Sequence, residues 1–396
     1  MMLDRARWSA EGEGGPGSGG ERFGKQEQEP ASEDVIDVAP GVLRMQLPLH
    51  FTGLGHVNMY GLVDRAGLAV VDPGMPGRGA WRSVVRALRR AGYRPADVHT
   101  VVVTHSHPDH FGGAGRLAAE SGAAVVAFGG FAVPWVVHSG PDVVSVDDSS
   151  LGTVSLGTVT TEAVVHGPGR LSVPWRAADN AMSPPQLPRS LRGPLLQLAW
   201  RMGRRYLEPP PLGRALTDGD QLRLADRDWF VVHTPGHTAD HVCLYDPEHR
   251  LMIAGDHVLP TITPHVSGIG CGPDPLRQYL DALDRVTRFD VDLVLPAHGH
   301  PFADLAGRTD QIVRHHQRRL GRLREIAASE GPATVEVFTR SLFGAGRGGL
   351  LAESEVFAHL EHLRHDGAAV VRRQDGALVY ALPEGAVPGG RSGPAN

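Results

Sequence analysis

The chain has 396 residues, enough for one large domain and a smaller second one. Hydrophobic residues make up 41% and charged residues 21% of the sequence, which is ordinary for a soluble globular protein. The formal net charge of -5 excludes any overall electrostatic reason to expect a nucleic acid or an anionic membrane as partner.

The first part of the chain, residues 1–34, is predicted to be a disordered tail because Gly, Glu, Ser and Gln dominate it. The folded region is expected to begin near Val35, where apolar and polar residues start to alternate. From there strands and helices are predicted to alternate, which favours an α/β fold. Strands are predicted at residues 57–63, 68–71, 101–103, 124–127, 229–233, 242–245, 251–254 and 293–295.

One helix among these strands has a clear amphipathic pattern. Trp81, Val84, Val85 and Leu88 are spaced to share one face, and Gly92 is placed to end the helix. The pattern therefore predicts a helix that packs one side against the protein interior.

An insertion at residues 168–214 interrupts the alternation of strands and helices. It is rich in proline, has one predicted helix at residues 195–206, and carries only Asp179 and Glu208 as acids. It is predicted to be a lid that attracts an anionic, acyl-CoA-like substrate, with a solvated basic surface helix as the alternative. The arginines of the insertion are Arg170, Arg176, Arg189, Arg192, Arg201, Arg204, Arg205 and Arg214.

The C-terminal segment, residues 308–383, has the element pattern of a winged helix: three predicted helices and then a hairpin that turns at Gln374-Asp375-Gly376. Its third helix, residues 353–365, is acidic, whereas helices that read DNA need positive charge to meet phosphate. We therefore expect a separable module that packs on the catalytic domain or forms a homodimer. Residues 384–396 are predicted to be a second disordered tail.

The densest group of chemically active residues follows the predicted strand at residues 101–103. His105, His107, Asp109 and His110 fall within six residues there, and imidazole and carboxylate are the usual nitrogen and oxygen ligands of zinc and related metals. His105 and His107 can converge only if the chain turns sharply, and Pro108 favours such a turn.

Three other predicted strands also end in a residue that can bind a metal. His237 follows the strand at residues 229–233, Asp256 follows residues 251–254, and His298 follows residues 293–295. Strand ends on one edge of a sheet sandwich can form a single rigid site. The sequence therefore predicts one metal centre built from four strand ends.

The motif H-x-H-x-D-H, followed by single His, Asp and His residues in that order, resembles the metallo-β-lactamase superfamily over residues 36–305. The resemblance implies a four-layer αββα sandwich. It implies that His105, His107 and His237 bind a first metal, that Asp109, His110 and His298 bind a second, and that Asp256 bridges them. It also implies that Asp72 does not bind a metal itself but orients the side chains that do.

Within the superfamily, two branches keep all seven ligands as this chain does. The glyoxalase II-like thioesterases and the lactonases form one, and a lactamase-like endoribonuclease group with a C-terminal winged helix forms the other. The resemblance thus implies two divalent ions, with zinc expected and iron or manganese as alternatives. A hydroxide that bridges the ions would cleave a thioester or ester, and Asp109 would orient it.

Two rival functions remain open from the sequence: cleavage of RNA or another phosphodiester, and a non-hydrolytic role such as sulfur oxidation on iron or binding on an inactive scaffold. Five further residues near the motifs are expected to support the site or to pack beside it: Thr104, His233, His241, His257 and His265.

The expected partner is a small-molecule substrate, anionic if the insertion is the predicted lid, with nucleic acid disfavoured. No stretch approaches 18 uninterrupted apolar residues, and the N-terminus lacks the apolar core of a signal peptide, so no membrane association is expected. Cys243 and Cys271 are expected to be reduced thiols in a cytoplasmic protein.

Overall fold

All eight predicted strands form, and they lie in two mixed sheets of a computed structural model that describes residues 24–51, 53–131, 164–165, 171–176, 209–344 and 349–383. The first sheet has the strand order β1-β2-β3-β4-β5-β6-β9. It is antiparallel from β1 to β4 and parallel from β4 onward. Its strands are β1 (Val35–Ala39), β2 (Val42–Phe51), β3 (Leu54–Asp64), β4 (Gly67–Val71), β5 (Val98–Val102), β6 (Ala124–Phe128) and β9 (Arg214–Leu216).

The second sheet has the order β10-β11-β12-β13-β14, in which only β13 and β14 are parallel. A separate two-stranded ribbon pairs β7 (Val164–Val165) with β8 (Leu171–Ser172). The strands of the second sheet are β10 (Gln221–Leu224), β11 (Arg227–His233), β12 (Val242–Asp246), β13 (Leu251–Gly255) and β14 (Leu293–Pro296).

Helices cover the outer face of each sheet, so that the described residues form four layers. The helices α1 (Arg78–Arg90), α2 (Pro108–Phe111) and α3 (Ala114–Ser121) belong to the first half of the chain, and α1 and α3 pack on the first sheet. The helices α4 (Pro275–Val286) and α5 (Leu305–Glu330) pack on the second sheet. The predicted α/β fold is confirmed, and the layers are consistent with the expected sandwich. No helix among these residues is long and apolar enough to cross a bilayer.

The buried faces of the two sheets meet in a central apolar core. Val71 and Val102 of the first sheet share this core with Trp229, Leu244 and Ile253 of the second. Strands in such a sandwich bury both faces, which explains the nearly continuous apolar runs in their sequences. Polar side chains can therefore follow β5, β13 and β14 only beyond the carboxyl ends of these strands, at the rim of the sandwich.

The prediction of an N-terminal tail through residue 34 is wrong from Gly24 onward. Glu27 is fully buried, and its carboxylate accepts hydrogen bonds from the main-chain nitrogens of Thr261 (2.7 Å) and Ile262 (3.0 Å). The main chain of Glu29 passes so close to Gly55 that a β-carbon there would lie 2.1 Å from the Glu29 carbonyl oxygen. Composition alone gave no sign of these contacts, because the buried partner lies far along the chain.

The Arg-rich insertion is described only at its two ends. Val173 and Trp175 are buried, and Arg176 pairs with Glu353 (2.6 Å) and Glu336 (2.8 Å). Arg214 lies 3.5 Å from Asp220. These two arginines are therefore engaged within the chain, contrary to the expectation that they attract substrate. Arg170 lies outside the described residues, as do residues 177–208 with the predicted helix and the remaining arginines, so the lid stays a prediction.

The C-terminal segment forms the predicted helices and hairpin. Its elements after α5 are β15 (Ala333–Thr334), α6 (Val335–Phe343), α7 (Leu350–His365), β16 (Val370–Gln374) and β17 (Ala377–Ala381). Asp375 and Gly376 have positive φ angles of 49° and 78°, as a two-residue hairpin turn requires.

The predicted domain boundary near Arg308 is not a boundary in the packing. Ile312, Phe357 and Leu360 belong to the same apolar core as Tyr279 of α4 and Met252 of the second sheet. A separable module would bury its apolar side chains among themselves, whereas these are shared. The winged-helix assignment itself stays a prediction.

We predict that Glu27→Ala lowers the free energy of unfolding by about 1–3 kcal/mol, the cost of leaving buried main-chain donors without partners. The measurement is urea unfolding of the full chain. Gln28→Ala, at the exposed neighbouring position, is the control and should change stability little. Equal effects of the two substitutions would show that the segment is not held as described.

Candidate metal centre

The structure brings all seven predicted ligands to one rim of the sandwich, in two groups. In each group, ligand atoms from all members lie within 4.8 Å of one another. The first group is His105, His107, His237 and Asp256; the second is Asp109, His110 and His298.

The dense motif turns back on itself where β5 ends. His107 precedes α2, and Pro108 occupies its first turn, where a missing N–H costs nothing. The helix is only four residues long, and it buries Asp109 and His110 beside His105. The turn that the sequence predicted at Pro108 is therefore present, and it directs alternate side chains of the motif toward one point.

In the first group, His237 Nε2 lies 3.0 Å from His107 Nδ1 and 3.4 Å from Asp256 Oδ2. His105 Nε2 lies 3.9 Å from the same carboxylate oxygen. Two ligand atoms at about 2 Å from a tetrahedral metal are separated by about 3.3 Å. The spacing in this group is thus close to that of ligands around one ion.

The second group meets the first at Asp256. His298 Nε2 lies 3.3 Å from Asp256 Oδ1, and His110 Nε2 lies 3.6 Å from Asp256 Oδ2. Asp109 Oδ2 lies 3.6 Å from both His110 Nε2 and His298 Nε2. The carboxylate of Asp256 therefore stands between the groups, at the position that the predicted bridging role requires.

Four atoms that point into the centre lack hydrogen-bond partners, although they are buried. These are His105 Nε2, His110 Nε2, His298 Nε2 and Asp256 Oδ1. Unpaired buried polar atoms are costly, and each of these is a good metal donor. The chemistry and spacing of the set fit two divalent ions.

In four of the five imidazoles, those of His105, His110, His237 and His298, the nitrogen that points away from the centre is held by a neighbour. His110 Nδ1 donates to Asp72 (2.9 Å), and His105 Nδ1 donates to Thr104 Oγ1 (3.0 Å). Asp72 also accepts from the hydroxyl and main-chain nitrogen of Thr104, at 2.7 and 2.9 Å. Asp72 is thus placed behind the ligands, as the resemblance implied, and such contacts fix the imidazole tautomer and orientation.

The five residues that the sequence left as support or packing divide in two. Thr104, His241 and His265 touch ligand residues: His241 Nε2 accepts from the main-chain nitrogen of Asp256 (3.0 Å), and the carbonyl of His265 accepts from His237 Nδ1 (2.6 Å). His233 instead stacks on Phe128, with ring centroids 4.0 Å apart. His257 packs beside Tyr279.

Sequence reasoning missed the contribution of β3. The carbonyl of His56 accepts from His298 Nδ1 (2.6 Å), and Asn58 Nδ2 donates to the carbonyls of Pro296 (2.8 Å) and Gly299 (2.9 Å). His56, Asn58 and Tyr60 alternate along an otherwise apolar strand, so they share one face. That alternation was a signal of a polar face at the rim.

The electrostatics of the two groups differ. Burial, followed by neighbouring imidazoles, holds the pKa of His105 and of His107 well below its ordinary value. Burial alone would also lower the pKa of His110, but Asp109, Asp256 and Asp72 outweigh it and raise that pKa well above its ordinary value. For His298 too, Asp256 outweighs burial and raises the pKa. The imidazoles of His105 and His107 therefore stay neutral to a lower pH than those of His110 and His298.

We predict that protein expressed without chelator carries about two divalent ions per chain, most of them zinc. Asp256→Ala should lower metal content most, because Asp256 touches both groups, and should lower activity more than about 100-fold. His107→Ala should also abolish turnover. Elemental analysis is the measurement, with Asp228→Ala on the exposed surface as control. Metal content near zero, or activity that survives exhaustive chelation, would contradict the metal centre.

We also predict that acid removes the metal of the second group first. A ligand must lose its proton to bind metal, so the raised pKa values of His110 and His298 let protons compete at a higher pH. The lowered pKa values of His105 and His107 postpone that competition to a lower pH. Metal content should therefore fall in two steps during dialysis at decreasing pH. In His298→Ala, only the later step should remain; loss of both ions in one step would count against this order.

Curated relatives match part of the chain. A lactamase-like protein, aptB, of Emericella nidulans is 29% identical over 39% of this chain and 46% of its own length. An acyl-coenzyme A thioesterase, MBLAC2, of Gallus gallus is 29% identical over 26% of this chain and 34% of its own. An atrochrysone carboxyl ACP thioesterase of Aspergillus fumigatus is 24% identical over 34% and 44%, respectively. The chain thus spans less than half the length of these relatives.

Two solved structures match most of the chain. A beta-lactamase domain protein from Burkholderia ambifaria has 28% identity and a TM-score of 0.64, and covers 89% of this chain and 96% of its own. A metallo-beta-lactamase family protein from Thermus thermophilus has 24% identity and a TM-score of 0.63, with 88% and 100% covered.

The family model described as the metallo-beta-lactamase superfamily matches residues 52–298, which is more than half of the chain and includes all seven residues of the two groups. The chain therefore belongs to the metallo-beta-lactamase superfamily.

Proposed function

We propose that the protein is a binuclear metal-dependent hydrolase of a thioester or ester, such as an acyl-CoA-like thioester, a hydroxyacyl thioester or a lactone. The observation that carries the proposal is the carboxylate of Asp256, which faces His237 of one group at 3.4 Å and His298 of the other at 3.3 Å. A carboxylate shared between two sets of nitrogen and oxygen donors is what a pair of adjacent ions requires.

Two divalent ions held by the two groups would supply a Lewis acid for the substrate carbonyl and would lower the pKa of water toward neutrality. The chain itself must orient that water and receive its proton. Asp109 suits this task because one of its oxygens faces both His110 and His298. Its side chain is also 12% exposed and can be reached by water, whereas the side chains of His110 and His298 are fully buried. No Ser or Cys nucleophile is then required.

The choice of a thioester rests on the relatives rather than on the geometry. Two of them carry thioesterase names, one for acyl-coenzyme A and one for an acyl carrier protein substrate. Such substrates join an acyl group to a thiol on an anionic carrier. The proposed substrate class is therefore an acyl thioester, with the lactones as the related ester substrates.

Cleavage of RNA or another phosphodiester is the alternative, because the predicted winged helix belongs to that branch. The helix that would read nucleic acid is α7, and it is buried on several sides: Leu360, Ala358 and Glu361 point in different directions around the helix, and each is at most 1% exposed. Its acid Glu353 is engaged by Trp175 and Arg176. A helix covered in this way cannot enter a groove, which favours the small-molecule substrate.

We predict that metal-loaded protein hydrolyses members of an acyl-CoA panel or a lactone panel, and leaves a labelled RNA intact. Asp109→Asn keeps the size of the side chain but removes its basicity, and should lower kcat by about 100- to 10,000-fold. Asp228→Asn, at an exposed site, should leave kcat unchanged. Metal-dependent cleavage of the RNA alone would replace the thioester proposal with the alternative.

A further inference from the structure

The ring of His237 is oriented by a loop that follows β13. This loop, residues 257–274, connects Asp256 to α4, and the carbonyl oxygen of its residue His265 accepts a hydrogen bond from His237 Nδ1 at 2.6 Å. Because the other ring nitrogen of His237, Nε2, faces His107 and Asp256, the hydrogen bond at Nδ1 sets the direction in which His237 presents Nε2 to the centre. The position of the loop therefore matters to the first group.

The same loop lies directly against α7. The main-chain nitrogen of Gly268 donates to Ser354 Oγ at 2.9 Å, and Ser354 is 1% exposed. A β-carbon on Gly268 would lie 2.5 Å from the Ser354 carbonyl oxygen and 2.7 Å from Phe357 Cδ1, so only glycine allows this approach. The main chain of the loop at Gly268 is thus packed directly against α7 at Ser354.

A buried carboxylate makes a second connection at His265 itself. Glu355 lies 3.7 Å from His265 Nδ1 and forms an ion pair with Arg319 of α5. Burial alone would raise the pKa of Glu355, but His265 and Arg319 outweigh it and hold that pKa well below its usual range. Glu355 therefore stands between Arg319 of α5 and His265 of the loop, and connects the loop to the helices.

The hydrogen bonds that orient His110 and His298 of the second group do not involve this helix. His298 is oriented by the carbonyl of His56 (2.6 Å), and His110 is oriented by Asp72 (2.9 Å), both on the first sheet side of the rim. Nothing in these two hydrogen bonds passes through the loop at residues 257–274. A change at α7 should therefore be felt by one group and not by the other.

We infer that α7 is a positioning element of the first metal site: Ser354 and Glu355 hold the loop at His265 and Gly268, and through it they hold the imidazole of His237. The C-terminal segment would then be part of the metal centre's support rather than an appended module. This inference rests on the metal ligation in the proposed function, but not on the identity of the substrate.

The test is zinc binding by the full chain after removal of metal with a chelator, measured by competition with a chromophoric chelator. The background variant His298→Ala isolates the first group, and His107→Ala isolates the second. In the first background, Ser354→Ala and Glu355→Gln should each raise the zinc Kd by about 3- to 10-fold, at or below the lower end of the range for residues that orient metal ligands. In the second background, neither change should alter Kd.

Glu361→Gln is the matched control, since Glu361 is a buried glutamate of the same helix that contacts Arg364 and Tyr380 instead of the loop. It should destabilise the fold in thermal unfolding without changing either zinc Kd. Glu355→Gln keeps the size of the side chain, so it decides the matter if Ser354→Ala fails to fold.

Three results would overturn the inference: no shift in the first background, an equal shift in both backgrounds, or the same shift with Glu361→Gln. Absence of zinc binding by the unaltered chain would overturn it together with the metal centre. Tight zinc binding without hydrolysis of any thioester or ester would overturn only the proposed function, and the comparison of Kd values would still decide the role of α7.

Discussion

The metal centre depends on main-chain hydrogen bonds that tie the two sheets together at one rim. The nitrogen of Val242 donates to the carbonyl of Thr104 (2.9 Å), and the nitrogen of Asn58 donates to the carbonyl of Ala297 (2.6 Å). Each bond joins a strand of one sheet to a segment that carries a ligand in the other. These main-chain hydrogen bonds therefore fix the rim, and they hold the segments that carry the ligand side chains in place.

Gathering seven polar side chains at a buried rim has an energetic cost that the surroundings offset only in part. Asp72 satisfies one side of His110, and Thr104 satisfies one side of His105, but the nitrogens that face inward have no hydrogen-bond partner. Such groups destabilise a fold, and a ligand that binds only the folded state recovers the loss. The same atoms that weaken the metal-free protein are those that would bind the ions.

The insertion and the C-terminal segment are joined to the metal centre through α7. Trp175 from the insertion stacks near Phe357 of α7 with ring centroids 4.8 Å apart, and its indole donates to Glu353 at 3.0 Å. The helix α7 in turn contacts the loop that orients His237. Insertion, C-terminal segment and metal centre thus form a continuous packed structure, so that changes in one can reach the others.

Much of this arrangement was predictable from local patterns in the sequence. Apolar runs located the eight strands, and a metal-capable residue after each of four of them located the two groups, because parallel strands of a sandwich end at a common rim. The helix α4 was missed, although Asp274 as its cap and Pro275 in its first turn were visible signals.

What only the tertiary structure decided are the contacts between residues far apart in sequence. Glu27 is hydrogen-bonded to Thr261 and Ile262, and His298 is oriented by a hydrogen bond to His56. No periodic pattern in the sequence indicates either of these contacts. Local periodicity shows which face of a strand or helix is buried, but not which distant segment covers it. The ligand residues could therefore be named in advance, whereas the residues that hold them in place became visible only once the chain was folded.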